Sequence, residues 1–310
     1  MEVVFASRKE SRPEDWVRAL REALPDLRVR AWADGSAAGG AEVAVVWNPP
    51  ADLFEREPRL RMVFNLGAGV DALLRMPGRP ACVPIVRVED GGMAVQMAEY
   101  VLHFLLRVSR GFDRYAQLQA ARRWQRLEDI AREDWPVGIM GAGVMGTRVA
   151  RAVAALEYPV AAWSRSGRGP EGIEAYGGDE GLPAFLARSR VLVNVLPLTA
   201  RTEGILCRRT FERMRPDGYV INIARGRHLV EEDLLAALDE GLLRGAALDV
   251  FVDEPLPAGH PFWTHPRVQV TPHIAGVSLL GQTVRQVAAK IQAFRRGEPI
   301  SGIIDPELQY

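Results

Sequence analysis

The sequence predicts an α/β protein built from two doubly wound, parallel-sheet domains. Three observations carry that prediction. Short, β-rich apolar runs alternate with segments of helical periodicity along the whole chain, the pattern of β-α-β units. A second series of such units starts at Pro136, after a long helical stretch has closed the first. Finally, 310 residues that are 48% hydrophobic and 25% charged can bury two cores, and that composition excludes disordered, collagen-like and coiled-coil classes.

The first series opens with a strand at 3–6. Ser11, Arg12, Pro13 and Glu14 follow as a capping-box pattern, opening a helix whose Trp16, Leu20 and Leu24 recur at helical spacing. Further strands are expected at 27–31, 42–47, 62–65 and 83–88, each beside Gly, Pro, Asp or Asn. From Gly91 to about Arg110 one long helix carries Met97, Val101, Phe104, Leu105 and Val108 on a single stripe, as a connector between domains would. The segment 107–132 holds seven arginines with Tyr115 and Trp124 among them. Asp113, Glu128 and Asp129 interrupt it, so a solvated or subunit-facing helix is expected there rather than a nucleic-acid surface. In the second series, strands are expected at 137–140, 160–163, 191–195, 219–223, 245–250 and 268–270. Helices are expected at 144–156 and 231–239, the latter with an acidic first turn. A last helix at 279–295 stops at Gly297, with Pro299 beyond it.

Thirty-nine Lys and Arg balance thirty-nine Asp and Glu, so no global field draws the chain to nucleic acid or an anionic membrane. Cys82 and Cys207 cannot frame a chain of this size with disulfides, which fits a reducing compartment. The N-terminus turns charged within a few residues, and no apolar run approaches the ~20 residues that span a bilayer. A cytoplasmic protein without nucleic-acid or membrane partners is expected. His103, His228, His260 and His265 have no carboxylates at ligand spacing, so no metal is expected either.

Chemistry concentrates after strands of the second series. Gly141, Ala142, Gly143, Val144, Met145 and Gly146 lie between a strand and a helix, the context in which a glycine triplet allows a tight turn, close approach to a pyrophosphate and a helix N-terminus aimed at it. The next strand ends in Trp163, Ser164, Arg165 and Ser166, with Arg168 close behind. An NAD-binding unit usually places Asp or Glu there. Hydroxyls and a guanidinium instead suit a 2′-phosphate, the alternative being a solvated turn with incidental arginines. Arg225, Glu254 and His273 each follow a later strand, and in an open parallel sheet those strand ends face the ligand crevice. Together they meet the needs of hydride transfer to a keto acid. An Arg holds a carboxylate and polarises a carbonyl, a His supplies the proton, and a carboxylate orients the imidazole.

These segments, together with residues 65–71 and 92–100, resemble the D-isomer-specific 2-hydroxyacid dehydrogenases over nearly the full length, and most closely their glyoxylate/hydroxypyruvate reductase A branch. The resemblance implies a Rossmann cofactor domain (96–276) inserted into a flavodoxin-like substrate domain (1–95 and 277–310). It implies Arg225, Glu254 and His273 as the catalytic set, and NADP(H) in preference to NAD(H) follows from Ser164, Arg165 and Ser166. Further cofactor contacts are expected from Leu196, Pro197, Thr202, Ile223, Ala224, Asp249 and Gly276. Backbone amides of Gly67, Ala68, Gly69 and Val70 would hold the substrate carboxylate as an anion nest. Trp47 either bounds a small substrate, as the branch's Trp loop does, or is a core aromatic. The family further implies a homodimer joined through the arginine-rich segment. The expected activity is NADPH-dependent reduction of glyoxylate and hydroxypyruvate. A bulkier 2-keto acid, or nucleotide sensing on the same scaffold, are the alternatives.

Overall fold

The structure is a computed structural model that describes residues 1–8, 12–33 and 39–310. The chain forms two compact units, Met1–Gly92 with Ser278–Tyr310, and Met93–Val277.

The first unit runs β1 (Glu2–Ser7), α1 (Pro13–Ala23), β2 (Arg28–Ala31), β3 (Val43–Trp47), α2 (Leu53–Arg56), β4 (Met62–Asn65), α3 (Asp71–Leu74) and β5 (Ile85–Arg87). All strands are parallel, in the order β2-β1-β3-β4-β5. Chain order reverses between β1 and β3, the flavodoxin-like arrangement. The inner strands are apolar without alternation, as strands buried on both faces are; Val3, Val4, Phe5, Ala6, Val45 and Val46 are all buried. Pro13 sets the first turn of α1, Glu14 and Asp15 suit its dipole, and Trp16 stacks on Phe5 at 5.9 Å. Arg12 occupies the N-cap but its side chain does not cap the helix, and Ser11 of the expected capping box lies outside the described residues.

The second unit runs α4 (Met93–Ser109), α5 (Phe112–Ala120), β6 (Val137–Met140), α6 (Val144–Ala154), β7 (Val160–Ser164), β8 (Glu174–Gly177), α7 (Gly178–Arg188), β9 (Val191–Asn194), α8 (Arg208–Phe211), β10 (Gly218–Asn222), α9 (Glu231–Asp239), β11 (Leu243–Leu248) and β12 (Val268–Val270). Its sheet is parallel throughout, ordered β12-β11-β10-β9-β6-β7-β8. The side-chain period of two divides two cores. Val137, Ile139, Val191, Val193, Tyr219 and Ile221 join the stripe of α4 and Val149, Ala150 and Val153 of α6 on one face. Met140, Leu192, Val220, Ala246 and Leu248 pack with Phe185, Phe211, Leu234 and Phe262 on the other. Chain order reverses between β6 and β9, which places the glycine triplet at the switch point where such sheets bind ligands.

The chain then re-enters the first unit as α10 (Leu280–Arg295). The ammonium of Lys290 on this helix is buried against the carbonyls of Arg87 and Ser301 and the carboxylate of Glu89, fastening the C-terminal segment. No described helix is long and apolar enough to cross a membrane.

Two expectations change. The arginine-rich segment is not one helix: α5 ends at Ala120, Arg122 takes a left-handed φ of 53°, and residues 121–131 have no regular structure. No residue of α5 is buried, and Trp124 is fully exposed. Strand β8 and helix α7 were not expected. The strand is a four-residue edge lacking apolar alternation, and the helix starts on Gly178 and contains Pro183.

Candidate active site

The cradle after β6 depends on missing side chains. Gly141 has φ 110° and lies against the carbonyl of Val195, where a Cβ would approach to 3.0 Å. A Cβ on Gly146 would fall 1.8 Å from the carbonyl oxygen of Gly141, so only glycine lets α6 start this close to the strand. At Gly143, the N-cap of α6, a Cβ would meet nothing within 4 Å and no side chain caps the helix. An open backbone at an uncapped N-terminus is what a pyrophosphate needs, so the residues fit a dinucleotide. Val144 is half exposed beside it, and Met145 packs partly into the core.

At the end of β7 the turn closes on itself. The Ser164 hydroxyl donates to the carbonyl of Arg168 at 2.7 Å, and the Ser166 hydroxyl accepts from the Arg168 amide at 3.4 Å. Arg165 and Arg168 are exposed, and residues 164–168 include no Asp or Glu.

Arg225, Glu254 and His273 all lie in the second unit, after β10, β11 and β12. His273 Nδ1 is 2.8 Å from Glu254 Oε2, while Glu254 Oε1 accepts from the Phe251 amide at 3.2 Å. Both carboxylate oxygens are engaged, so Nδ1–H donates to Glu254 and Nε2 is the ring's outward nitrogen. His273 sits at a left-handed φ of 57°, held by its amide donating to the Asp249 carbonyl at 2.8 Å. Asp249, expected among the cofactor contacts, is 1% exposed. Its Oδ1 accepts from the Thr271 hydroxyl at 2.6 Å and the Ile274 amide at 2.9 Å, and its Oδ2 accepts from the Ala275 amide at 2.8 Å. Burial, the largest cause, pushes its carboxyl above the usual Asp range against those hydrogen bonds. Behind it the Tyr100 hydroxyl meets Thr271 Oγ1 at 2.7 Å, and Gly276 packs on Met97. Gly226 lets the turn carrying Arg225 press on the chain leading to Glu254, since a Cβ there would lie 1.9 Å from the Phe251 carbonyl carbon.

A buried polar lattice links these turns. Asn194 Nδ2 donates to Asn222 Oδ1 at 3.0 Å, and Asn222 Nδ2 donates to the Arg225 carbonyl at 3.0 Å. The Leu196 and Ala224 amides donate to the Asn194 and Asn222 amide oxygens. His228, fully buried, faces the Arg225 carbonyl with Nδ1 and the Pro197 carbonyl with Nε2, each at 3.2 Å. The Thr202 hydroxyl donates to the same Pro197 carbonyl at 2.7 Å. The expected residues Leu196, Ala224 and Pro197 are therefore braced by the side chains of Asn194, Asn222 and His228, none of which was expected in the site. The readable signal of Asn194 and Asn222 is a buried-strand pattern that ends in Asn. His260 and His265 are engaged elsewhere, with Glu231 at 3.2 Å and Asp239 at 3.3 Å. Among the described residues no cluster of His, Cys, Asp and Glu could hold a metal ion.

In the first unit, Gly67, Ala68, Gly69 and Val70 form the loop between β4 and α3. The half-buried Trp47 indole lies over Gly67, where a Cβ would come within 2.2 Å of the ring.

A profile for the D-isomer specific 2-hydroxyacid dehydrogenase NAD binding domain matches residues 102–275, more than half of the chain. Glyoxylate/hydroxypyruvate reductase A of Serratia proteamaculans is 46% identical over 302 residues, covering 96% of both chains. Its counterpart in Photorhabdus laumondii is 42% identical, covering 95% of this chain and 96% of that one. Among solved structures, a D-isomer specific 2-hydroxyacid dehydrogenase from Xanthobacter autotrophicus in complex with NADPH and MES superposes with a TM-score of 0.94 at 36% identity, covering 100% of this chain and 99% of that one. An NADPH-dependent glyoxylate/hydroxypyruvate reductase from Sinorhizobium meliloti in complex with NADP and sulfate gives 0.93 at 39% identity, with the same coverage. A 2-hydroxyacid dehydrogenase scaffold with an NAD(P)-binding domain, carrying the Arg, Glu and His on successive strand ends, places the chain in the D-isomer specific 2-hydroxyacid dehydrogenase family.

Proposed function

We propose that the protein is an NADPH-dependent reductase of small 2-keto acids, converting glyoxylate to glycolate and hydroxypyruvate to D-glycerate. The observation that carries the reading is the His273–Glu254 pair at 2.8 Å, in the same unit as Arg225 and the glycine cradle. When bound, the reduced nicotinamide supplies the hydride. Gly141, Gly143 and Gly146 take the pyrophosphate, with Leu196, Pro197, Ile223 and Ala224 as further contacts. The guanidinium of Arg225 holds and polarises the keto group, which stabilises the negative charge that develops on its oxygen. His273 Nε2 gives that oxygen a proton, and the ring recovers one from solvent. Glu254 keeps Nδ1–H engaged, so the proton leaves from Nε2 alone. The substrate carboxylate is assigned to the amides of residues 67–70, and Trp47 over Gly67 favours a small substituent on the keto acid.

Preference for NADPH is supported by the lack of Asp or Glu among residues 164–168 and by exposed Arg165 and Arg168, whose guanidinium groups suit a 2′-phosphate. The NADPH and NADP in the Xanthobacter and Sinorhizobium structures agree with it. A homodimer is proposed through residues 107–132, where Phe112, Tyr115, Trp124 and Ile130 are each exposed. The deciding experiment follows NADPH and NADH oxidation with glyoxylate, hydroxypyruvate, pyruvate and phenylpyruvate. Turnover of the first two with NADPH is expected, and no turnover with any keto acid would reject the reading.

A further inference from the structure

Carbonyl groups in the loop after β4 are drawn to one side. Asn65, the last residue of β4, is 3% exposed, and its Nδ2 donates to the carbonyls of Gly67 and Gly69, each at 2.9 Å. Two carbonyl partners identify the nitrogen side of the amide, because an amide oxygen turned toward them would be repelled. The carbonyl of Leu66 is taken by the Ser278 hydroxyl at 2.7 Å, where the chain re-enters this unit. Among the described residues, the amides of Gly67, Ala68, Gly69 and Val70 donate to no backbone or side-chain acceptor.

These facts are linked by the planarity of the peptide group. In a trans peptide the C=O of one residue and the N–H of the next point in opposite directions. Pulling in the carbonyls of Leu66, Gly67 and Gly69 therefore turns out the amides of Gly67, Ala68 and Val70. We propose that Asn65, seconded by Ser278, is the positioning group for the substrate's carboxylate: it grips the loop's carbonyl oxygens and so presents the amides as an anion nest. The assignment rests on the reading of residues 67–70 as the carboxylate site. It adds what keeps those peptides from rotating. A loop containing Gly67 and Gly69 has little intrinsic preference for this orientation, and without the Asn65 amide the carbonyls are free to turn toward an incoming anion and repel it.

Asn65→Asp tests this with an isosteric side chain that only accepts, and Asn65→Ser with one that donates a single hydrogen bond. The readouts are KM and kcat for glyoxylate, the Kd for NADPH, and the calorimetric Kd of the NADPH-loaded protein for oxalate, an unreactive dicarboxylate of the substrate's size. Losing one hydrogen bond to a charged group corresponds to roughly tenfold or more in affinity, so Asn65→Asp is expected to raise KM and the oxalate Kd together by about tenfold or more. The expected kcat falls much less, the NADPH Kd does not move, and Asn65→Ser lies between. Unchanged KM and oxalate Kd would overturn the proposal. So would equal losses in kcat, NADPH binding and KM, which mark general damage. If Asn65→Asp does not fold, Ser278→Ala removes only the Leu66 partner. It should raise KM and the oxalate Kd with little effect on kcat, and no change in either overturns the proposal. Should the wild type reduce no keto acid, the activity reading falls, while the oxalate comparison still decides the role of Asn65.

Discussion

Replacing Asp249 by Ala should disable proton transfer without touching His273. The residue's backbone carbonyl survives, so the His273 amide keeps its partner, but both carboxylate oxygens are lost. Three donors are left behind. The Thr271 hydroxyl can turn to Tyr100, whose oxygen is already 2.7 Å away. The Ala275 amide is buried and the Ile274 amide partly so, and neither can turn. Stranding a buried donor costs about 1–3 kcal/mol, which puts the pair at roughly 2–4 kcal/mol once the partial exposure of Ile274 is allowed for. The left-handed conformation of His273 adds about 1–2 kcal/mol of strain that the anchored turn now withstands. Both terms favour a relaxed turn in which His273 leaves Glu254. The expected result is a kcat lowered by about 10² to 10⁴, the range for losing a positioned acid, with NADPH binding retained. Urea unfolding provides a second test with a definite sign. The Asp249 carboxyl is raised in the folded protein, chiefly by burial, so folding favours its protonated form. The stability this contributes is complete below the unfolded pKa of about 3.9 and is lost as pH rises through the folded value. Asp249→Ala lacks this dependence, so its deficit against wild type should narrow as pH rises from about 4. A near-normal kcat with parallel stability curves would refute the reasoning.

Three further outcomes are expected. His273→Ala should lower kcat by about 10² to 10⁴ while the NADPH Kd measured by fluorescence titration stays put; near-normal turnover would remove His273 from the mechanism. Ser164→Asp with Arg165→Ala should collapse kcat/KM for NADPH and spare that for NADH, because a carboxylate repels the 2′-phosphate and about one to two powers of ten in affinity accompany each charged hydrogen bond lost. Wild-type enzyme that uses both cofactors equally at limiting concentration would contradict this. Gly146→Ala forces α6 away from the Gly141 carbonyl, and a displacement on the ~1 Å scale can cost about 10²-fold, read here as weaker NADPH binding in a folded protein; unaltered binding would show that the cradle tolerates a methyl group.

The parts of the fold that were legible are those whose physics is local. Strands β1, β3, β9 and β10 are buried on both faces and read as unbroken apolar runs, whereas β8, an exposed edge of Glu174, Ala175, Tyr176 and Gly177, has no such run. The stripe of α4 announced its helix. The segment after it carried helix-compatible arginines, but no apolar stripe holds residues 121–131 in helical form. In the site, the glycine triplet was legible because its three glycines lie within one turn, and Arg225, Glu254 and His273 because each follows a strand. Asp249 was expected as a cofactor contact only through the family resemblance. Its side-chain partners, the donors of Thr271, Ile274 and Ala275, lie more than twenty residues away along the chain, where no local pattern announces them. Trp47 was ambiguous because an aromatic at a strand end suits a core or a rim equally, and its contact with Gly67, twenty residues on, is not announced by any local pattern.

Three strands end in buried asparagine, Asn65 on β4, Asn194 on β9 and Asn222 on β10, and all three meet the same physical demand. At the carboxyl edge of a parallel sheet the ladder stops, and the chain must turn sharply with its carbonyls and amides unpaired, in a place where burial makes an unpaired group cost about 1–3 kcal/mol. Asparagine carries two donors and an acceptor on a short, uncharged side chain, so it can serve such a turn without the desolvation cost of a carboxylate. Asn222 does so for both sides of its turn, donating to the Arg225 carbonyl and accepting from the Ala224 amide. Asn194 ties β9 to β10 while accepting from the Leu196 amide. Asn65 uses both donors on one loop and leaves that loop's amides outward. An aspartate at any of these positions would face a carbonyl or another side-chain oxygen at hydrogen-bond distance, which is why the choice of amide over carboxylate here is set by the turns themselves.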